Sequence, residues 1–209
     1  MIHIVTAENR HLFRHALMEM HQQRKTVFVD ELKWRLNVES GIEIDSYDSP
    51  SAVYLIEAEA PRAPVRASVR LLPTDRPHLM ADVFPHLCSG APPAGAHVWE
   101  ATRFCPSPDL PKGDVRRGML SRMIAAVMET ALLFGIERVT YVASASLAAV
   151  ARDAGWITEA LGAVHGSGRD ALVAMVAEID AAGLRRVRER NGIGAPVTRF
   201  TPGDVARAA

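Results

Sequence analysis

The sequence predicts a single domain of mixed α/β (α+β) class, with a mostly antiparallel central sheet flanked by helices. Three observations predict it: apolar stretches of strand length crowd the first half, one long apolar helix occupies the middle, and strand and helix patterns alternate after it. At 209 residues the chain can bury a full core as one unit. Its 24 Lys and Arg balance its 24 Asp and Glu, so no long-range field gathers nucleic acid or an anionic membrane surface. The most apolar stretch, residues 124–136, is broken by Glu129, and residues 1–5 have no basic region or cleavage signal; a protein of the cytoplasm without stable membrane association is expected. Cys88 and Cys105 have no CxxC spacing and read as small apolar fillers in a reduced compartment.

The elements follow in order. Residues 2–6 read as a strand, and Thr6 is expected to cap a helix in which Leu12, Phe13, Ala16, Leu17 and Met20 recur at helical spacing, running to about Phe28. From 33 to 48 the period is lost and polar residues dominate, the mark of a functional loop. Residues 52–60 and 65–72 are strand-like across a proline-bounded loop at 61–64. In the second strand Val65, Ala67, Val69 and Leu71 share one face, and Arg66, Ser68 and Arg70 the other. Residues 73–96 show no period beyond a helical turn near 79–84. A strand at 97–105 precedes an apolar helix over 115–134, which Asp114 caps and Gly135 ends. Residues 137–143 form a strand, 147–154 a short helix behind Ser146, 158–165 and 171–179 two further strands, and 181–190 a basic helix. This order resembles a GNAT-like acyltransferase sheet more than a doubly wound nucleotide fold.

The chemistry-bearing residues cluster early. Glu43-Ile44-Asp45-Ser46-Tyr47-Asp48 places three carboxylates in six residues, preceded by Arg24, Phe28 and Trp34 and followed by Arg70, Glu100 and Arg103. Acids beside aromatics, with separate arginines to pair with them, suit a cationic, flat, amino-acid-like ligand; a solvated turn is the alternative. Glu100 stands in a mostly apolar strand, where a carboxylate is costly unless it meets a cation or a wet cleft. Alternation sets Glu100 and Arg103 on opposite faces, so a shared cleft requires a β-bulge. Arg116-Arg117-Gly118 opens the central helix, whose free N–H groups suit a phosphate; two exposed arginines are the plain alternative. His11 and His15 have the spacing of a metal clamp, yet no third ligand follows and no metal is expected. Neither a GxSxG nor a GxGxxG motif is present.

Arg24, Phe28, Trp34, Asp45, Asp48, Arg70, Glu100 and Arg103, with the strings Arg70-Leu71-Leu72-Pro73-Thr74 and Glu100-Ala101-Thr102-Arg103-Phe104, resemble in order and spacing the acyl-homoserine lactone synthases, the autoinducer synthases of bacterial quorum sensing. The likeness is specific from Arg24 to Phe104 and diffuse beyond, where only Gly155-Trp156 stands out. It implies one autoinducer-synthase domain over 1–209, a mobile S-adenosylmethionine-binding segment at about 20–50, and an acyl-donor half at about 105–190. The implied reaction acylates the amino group of S-adenosyl-L-methionine from acyl-carrier protein or acyl-CoA, then closes a lactone and releases methylthioadenosine, with no cofactor beyond the substrates. Glu100 is the implied base. Asp45 and Asp48 would attract the ammonium and sulfonium, and Arg70 and Arg103 would pair with those acids or grip the substrate carboxylate. Phe28, Trp34 and Phe104 would wall the adenosylmethionine, with Arg24 organising the segment above it. Arg116, Arg117, Gly118, Ala143 and Ser144 are the expected acyl-donor residues, and Glu43 is expected only to support its loop. An N-acyltransferase for another amine and a non-catalytic binder are the competing readings.

Overall fold

The computed structural model describes residues 1–168 and 171–203. Its frame is an eight-stranded sheet in the order β10-β1-β4-β5-β6-β7-β9-β8, formed by β1 (Ile2–Val5), β4 (Val53–Glu57), β5 (Ala67–Pro73), β6 (Val98–Pro106), β7 (Arg138–Ser144), β8 (Glu159–Ala160), β9 (Leu172–Glu178) and β10 (Thr198–Phe200). Only β10–β1 and β6–β7 are parallel. On one face lies α3 (Asp114–Leu133), joined by α4 (Ala145–Asp153) and α5 (Ala181–Arg190); Met123, Ile124 and Val127 pack there on Ile4, Leu55, Val69 and Val139. On the other lies α1 (Arg14–Arg24), whose Ala16 and Met20 pack on Val5, Tyr54 and Ile56. A short helix, α2 (Leu79–Asp82), and a small hairpin, β2 (Val38–Glu39) with β3 (Ile42–Glu43), complete that side.

Several expectations are corrected. Thr6 does not cap α1. The Thr6 N–H donates to Asn9 Oδ1 at 2.8 Å, and Asn9 Nδ2 donates to the Ile4 and Thr201 carbonyls, so this turn and a 3-10 segment (Arg10–Phe13) precede the helix. The α geometry ends at Arg24 and continues as a π-helix (Lys25–Glu31), which takes Phe28 out of register with Leu17 and Met20. Val65 faces the α1 side, because its N–H meets Glu19 and its carbonyl meets Gln23 of α1. Within the unperiodic loop, Ser40 and Gly41 take φ of 50° and 83°, the left-handed pair that a two-residue hairpin turn needs between β2 and β3. Gly113, not Asp114, stands at the N-cap of α3. α4 starts two residues early, because Ser144 accepts from the Leu147 N–H. The strand expected at 158–165 shrinks to β8 and one bridge at His165.

β10 was not expected at all. It is held by Glu129, the acid that interrupts the apolar run of α3: its carboxylate accepts from the Val197 and Thr198 N–H groups, from the Thr198 hydroxyl at 2.6 Å and from Arg188 at 2.7 Å. Burial opposes the charge on Glu129, but these bonds outweigh it and hold the carboxyl below its ordinary range. Glu129→Ala leaves several donors unmet and is expected to cost about 2–4 kcal/mol, read as a lower midpoint in denaturant; an unchanged midpoint would show that β10 does not depend on it.

Candidate active site

Six side chains on the α1 face form a closed ring of alternating charge. Arg24, the last residue of α1, donates to Glu43 Oε2 at 2.5 Å and to both Asp48 oxygens at 2.8 and 2.9 Å. Arg70 from β5 donates to Asp45 at 2.6 and 3.1 Å and lies 2.8 Å from Asp48. Arg103 from β6 closes the ring with Asp45 at 2.8 Å and Glu43 at 3.0 Å. Burying six charges is expensive, and the arrangement stands because each charge meets two of opposite sign. Further donors satisfy the remaining lone pairs: Tyr54 Oη and the Asp45 N–H on Asp48, and the Tyr47 N–H on Asp45. Burial pushes the Asp48 carboxyl up, yet hydrogen bonds and charge from Arg24 and Arg70 hold it far below the usual carboxylate range. Arg24 and Arg70 are correspondingly raised: burial acts against their charge, and the acids overcome it.

Arg103 reaches this face through a bulge. Ser68 pairs with Cys105 and Arg70 with Thr102, so β6 carries one residue more than β5 over this stretch. Arg103 takes φ of 55° there, a left-handed conformation rare outside glycine. The bulge that a shared cleft demands is therefore present, and it turns Arg103 to the side of Glu100 and Thr102. Phe104 is thereby sent to the opposite face, against the α3-side core, away from Phe28 and Trp34, with which it was expected to wall the adenosylmethionine.

The ring also redistributes the expected roles. Asp48 is sealed by its partners, and only Asp45, with 18% of its side chain exposed, remains open to a cationic ligand. Arg70 and Arg103 take the acid-pairing alternative. Glu43, expected only to support its loop, is fully buried and bridges Arg24 to Arg103. The signal available in the sequence was the match of three arginines to three acids, which matters because all three arginines are buried together.

Glu100 stands apart from the ring on the same face. It is fully buried; Oε2 accepts from the Met80 N–H at 3.1 Å, and Oε1 has no protein partner among the described residues. Burial pushes its carboxyl up to about 7, against the Met80 and Leu79 amides and the charge of Arg70. Above the ring, Phe28 and Trp34 stack with centroids 4.9 Å apart and planes at 9°. Arg103 lies 5.8 Å from the Phe28 centroid. Trp34 is brought back by a bond from its N–H to the Phe28 carbonyl and by Lys33 at φ 60°, and it stays 44% exposed.

The expected donor residues divide. Arg116 is turned back onto the Leu110 and Pro108 carbonyls, bracing the loop before α3. Arg117 pairs with Asp114 in solvent. With Gly118, Ser121 and Arg122 it lines a groove of about 540 Å³ between α3 and residues 191–197. Ala143 and Ser144 do not join it: Ala143 is core, and Ser144 is spent capping α4. The β6–β7 pairing stops at Ala101–Tyr141 although both strands continue to Pro106 and Ser144, which leaves an opening in the sheet.

The profile of the autoinducer synthases matches residues 8–187. The chain belongs to the autoinducer synthase family. The isovaleryl-homoserine lactone synthase of Bradyrhizobium diazoefficiens is 35% identical over 165 residues, covering 78% of this chain and 72% of that one. The solved structure of BjaI, described as a CoA-dependent acyl-homoserine lactone synthase with SAM and isopentyl-CoA, superposes with a TM-score of 0.86 at 30% identity, covering 97% and 93% of the two chains. A putative N-acetyltransferase from Lactobacillus plantarum shares the fold alone, with a TM-score of 0.53 at 17% identity over 86% and 99%. The GNAT-like class is thus shown, and the autoinducer synthase is an acyltransferase. No helix among the described residues is long and apolar enough to cross a membrane.

The ring has a measurable acid signature. The lowered Asp48 carboxyl contributes stability that is full above its unfolded value of 3.8 and lost as pH falls toward the native value. Asp48→Asn should flatten the dependence of unfolding free energy on pH below about 4, a change that a purely surface acid would not produce.

Proposed function

We propose that this protein is an acyl-homoserine lactone synthase that makes a quorum-sensing signal from S-adenosyl-L-methionine and an acyl thioester. The observation that carries the reading is Glu100, a buried carboxylate with one oxygen free of protein partners among the described residues, on the same face as the arginine–carboxylate ring and pushed up to about 7 by its burial. Adenosylmethionine arrives as an ammonium, which is not a nucleophile. Glu100 takes its proton, directly or through a water; the amine forms the amide bond, and the thioester C–S bond breaks to leave a thiol. The methionine carboxylate then attacks its own γ-carbon. The C–S bond to the sulfonium breaks, the positive charge is quenched, and methylthioadenosine leaves beside the lactone. Both steps are redox-neutral substitutions, so the proposal includes no cofactor beyond the substrates. Asp45 is the ring acid that meets the cationic substrate, and Phe28 and Trp34 supply aromatic faces for adenine or sulfonium.

The donor is assigned as acyl-CoA rather than acyl-carrier protein. The groove at Arg117, Gly118, Ser121 and Arg122 carries two guanidinium groups on the first turns of a long helix, Arg117 paired with the exposed Asp114 and Arg122 with Glu57; phosphates suit such a surface by sharing these cations, and BjaI is described as CoA-dependent. Both substrates are metabolites of the cytoplasm, which is the proposed place of action.

Mixing the protein with adenosylmethionine and a panel of acyl-CoA thioesters should release methylthioadenosine and a lactone identifiable by mass spectrometry. Free thiol without methylthioadenosine would mean that another amine is the acceptor, and the appearance of neither product would sink the reading. Glu100→Gln should lower kcat by about 10²–10⁴ while adenosylmethionine binding changes only a few-fold. In the native chain kcat should rise with pH through about 7, because the base acts only when deprotonated. Arg117→Ala should raise KM for acyl-CoA about fivefold and leave a phosphate-free acyl thioester of N-acetylcysteamine unaffected; an equal effect on both donors would argue against the CoA assignment.

A further inference from the structure

Tyr47 lies between the two aspartates of the acidic turn and touches both halves of the site. Its ring centroid is 5.8 Å from the Arg70 guanidinium carbon, and its phenol donates to Asp82 Oδ2 at 3.0 Å. Asp82 is the last residue of α2, the helical turn whose Met80 N–H is bound to Glu100. Contacts therefore run from the ring through Arg70, Tyr47, Asp82 and α2 to the carboxylate that stands apart from it.

α2 has four residues, too few to hold a helical geometry unaided. Met80 anchors it from below, buried with Leu87 and Ala174. The Tyr47–Asp82 bond is the one side-chain hydrogen bond that joins α2 to the acidic turn among the described residues. Asp82 also acts through its charge. The groups that face Glu100 are Arg70 from β5 and the α2 amides, which favour its charged form, and Asp82 from α2, which opposes it; the Tyr47 phenol faces it from the turn. Burial, the bond to Asp82 and the acids around it push that phenol up to about 12, so it remains a donor at working pH.

We propose that Tyr47 and Asp82 are a positioning pair for the acyl transfer: their bond clamps α2 against the acidic turn, so that Glu100, held by the α2 amide, and the substrate side of the ring keep one register. The kinetic part of this proposal rests on the acyl-homoserine lactone reading; the clamp itself does not.

Two variants of the full chain separate the tie from the charge. Tyr47→Phe removes the hydrogen bond and keeps the Asp82 carboxylate, whereas Asp82→Asn keeps an oxygen that accepts from Tyr47 and removes the charge. Hydrogen–deuterium exchange at the Met80 amide is expected to run about fivefold faster in Tyr47→Phe and at the native rate in Asp82→Asn. The acid limb of the kcat–pH profile is expected to move to higher pH in Tyr47→Phe, where Glu100 loses amide support. It should move to lower pH in Asp82→Asn, where a like charge is gone, with KM for adenosylmethionine within about twofold in both. A merely structural pair would lower the melting temperature without moving the limb. Native exchange at Met80 in Tyr47→Phe overturns the proposal whether or not the chain is active. Absence of methylthioadenosine release from the native chain instead overturns the functional reading, and the exchange measurement stands without it.

Discussion

Everything on the α1 face of the sheet depends on one closed circuit of charge: Arg24, Glu43, Arg103, Asp45, Arg70 and Asp48, each between two partners of opposite sign. The six come from a helix end, a hairpin, a turn and two strands. A buried pair can cost more in desolvation than its attraction returns, but a ring leaves no end unpaired. Removing any member strands two buried charges, so the loop at 33–48 is held by electrostatics as well as by the packing of Trp34 and Tyr47. The left-handed Arg103 backbone is tolerated in this setting, because the bulge is what delivers the third cation.

The same fold uses carboxylates in two opposite ways. Asp48 is surrounded by guanidinium groups and driven far down; Glu100, with two backbone amides and no ion pair, is driven up to about 7. Company alone makes that difference, since both are buried. A scaffold acid and a base can therefore lie on one face without exchanging roles, the separation of proton affinities on which acid–base sites are built. Burial within the ring also explains why only Asp45 keeps any opening for a cation: structure and recognition draw on the same three acids, and two are fully committed to structure.

The opposite face shows a different economy. α3 packs its small and apolar residues on the sheet, and the acid within its apolar run, Glu129, reaches across to the edge strand β10. The groove at Arg117 and Arg122 lies on the helix side, and the β6–β7 pairing ends at Ala101–Tyr141. The molecule thus presents a polar, ring-built face and a helix-built face on either side of β6, with Glu100 on the strand next to the opening.

By itself the sequence determined the class of fold, the order of its main elements and the family, because alternation, helical period and a spaced set of arginines, acids and aromatics are local patterns that survive in one dimension. It also determined that Glu100 and Arg103 could share a cleft only through a bulge. Only the tertiary structure decided who pairs with whom. Glu43 looked like a loop residue until Arg24 and Arg103 met over it, Phe104 looked like a ligand wall until the bulge reversed it, and the cap of α4, read at Ser146, fell to Ser144. β10 was illegible because its support is a carboxylate about seventy positions away in α3. The physical reason is common to all of these: hydrogen bonds and ion pairs between distant residues depend on distances that folding creates, whereas period and composition are set before the chain folds.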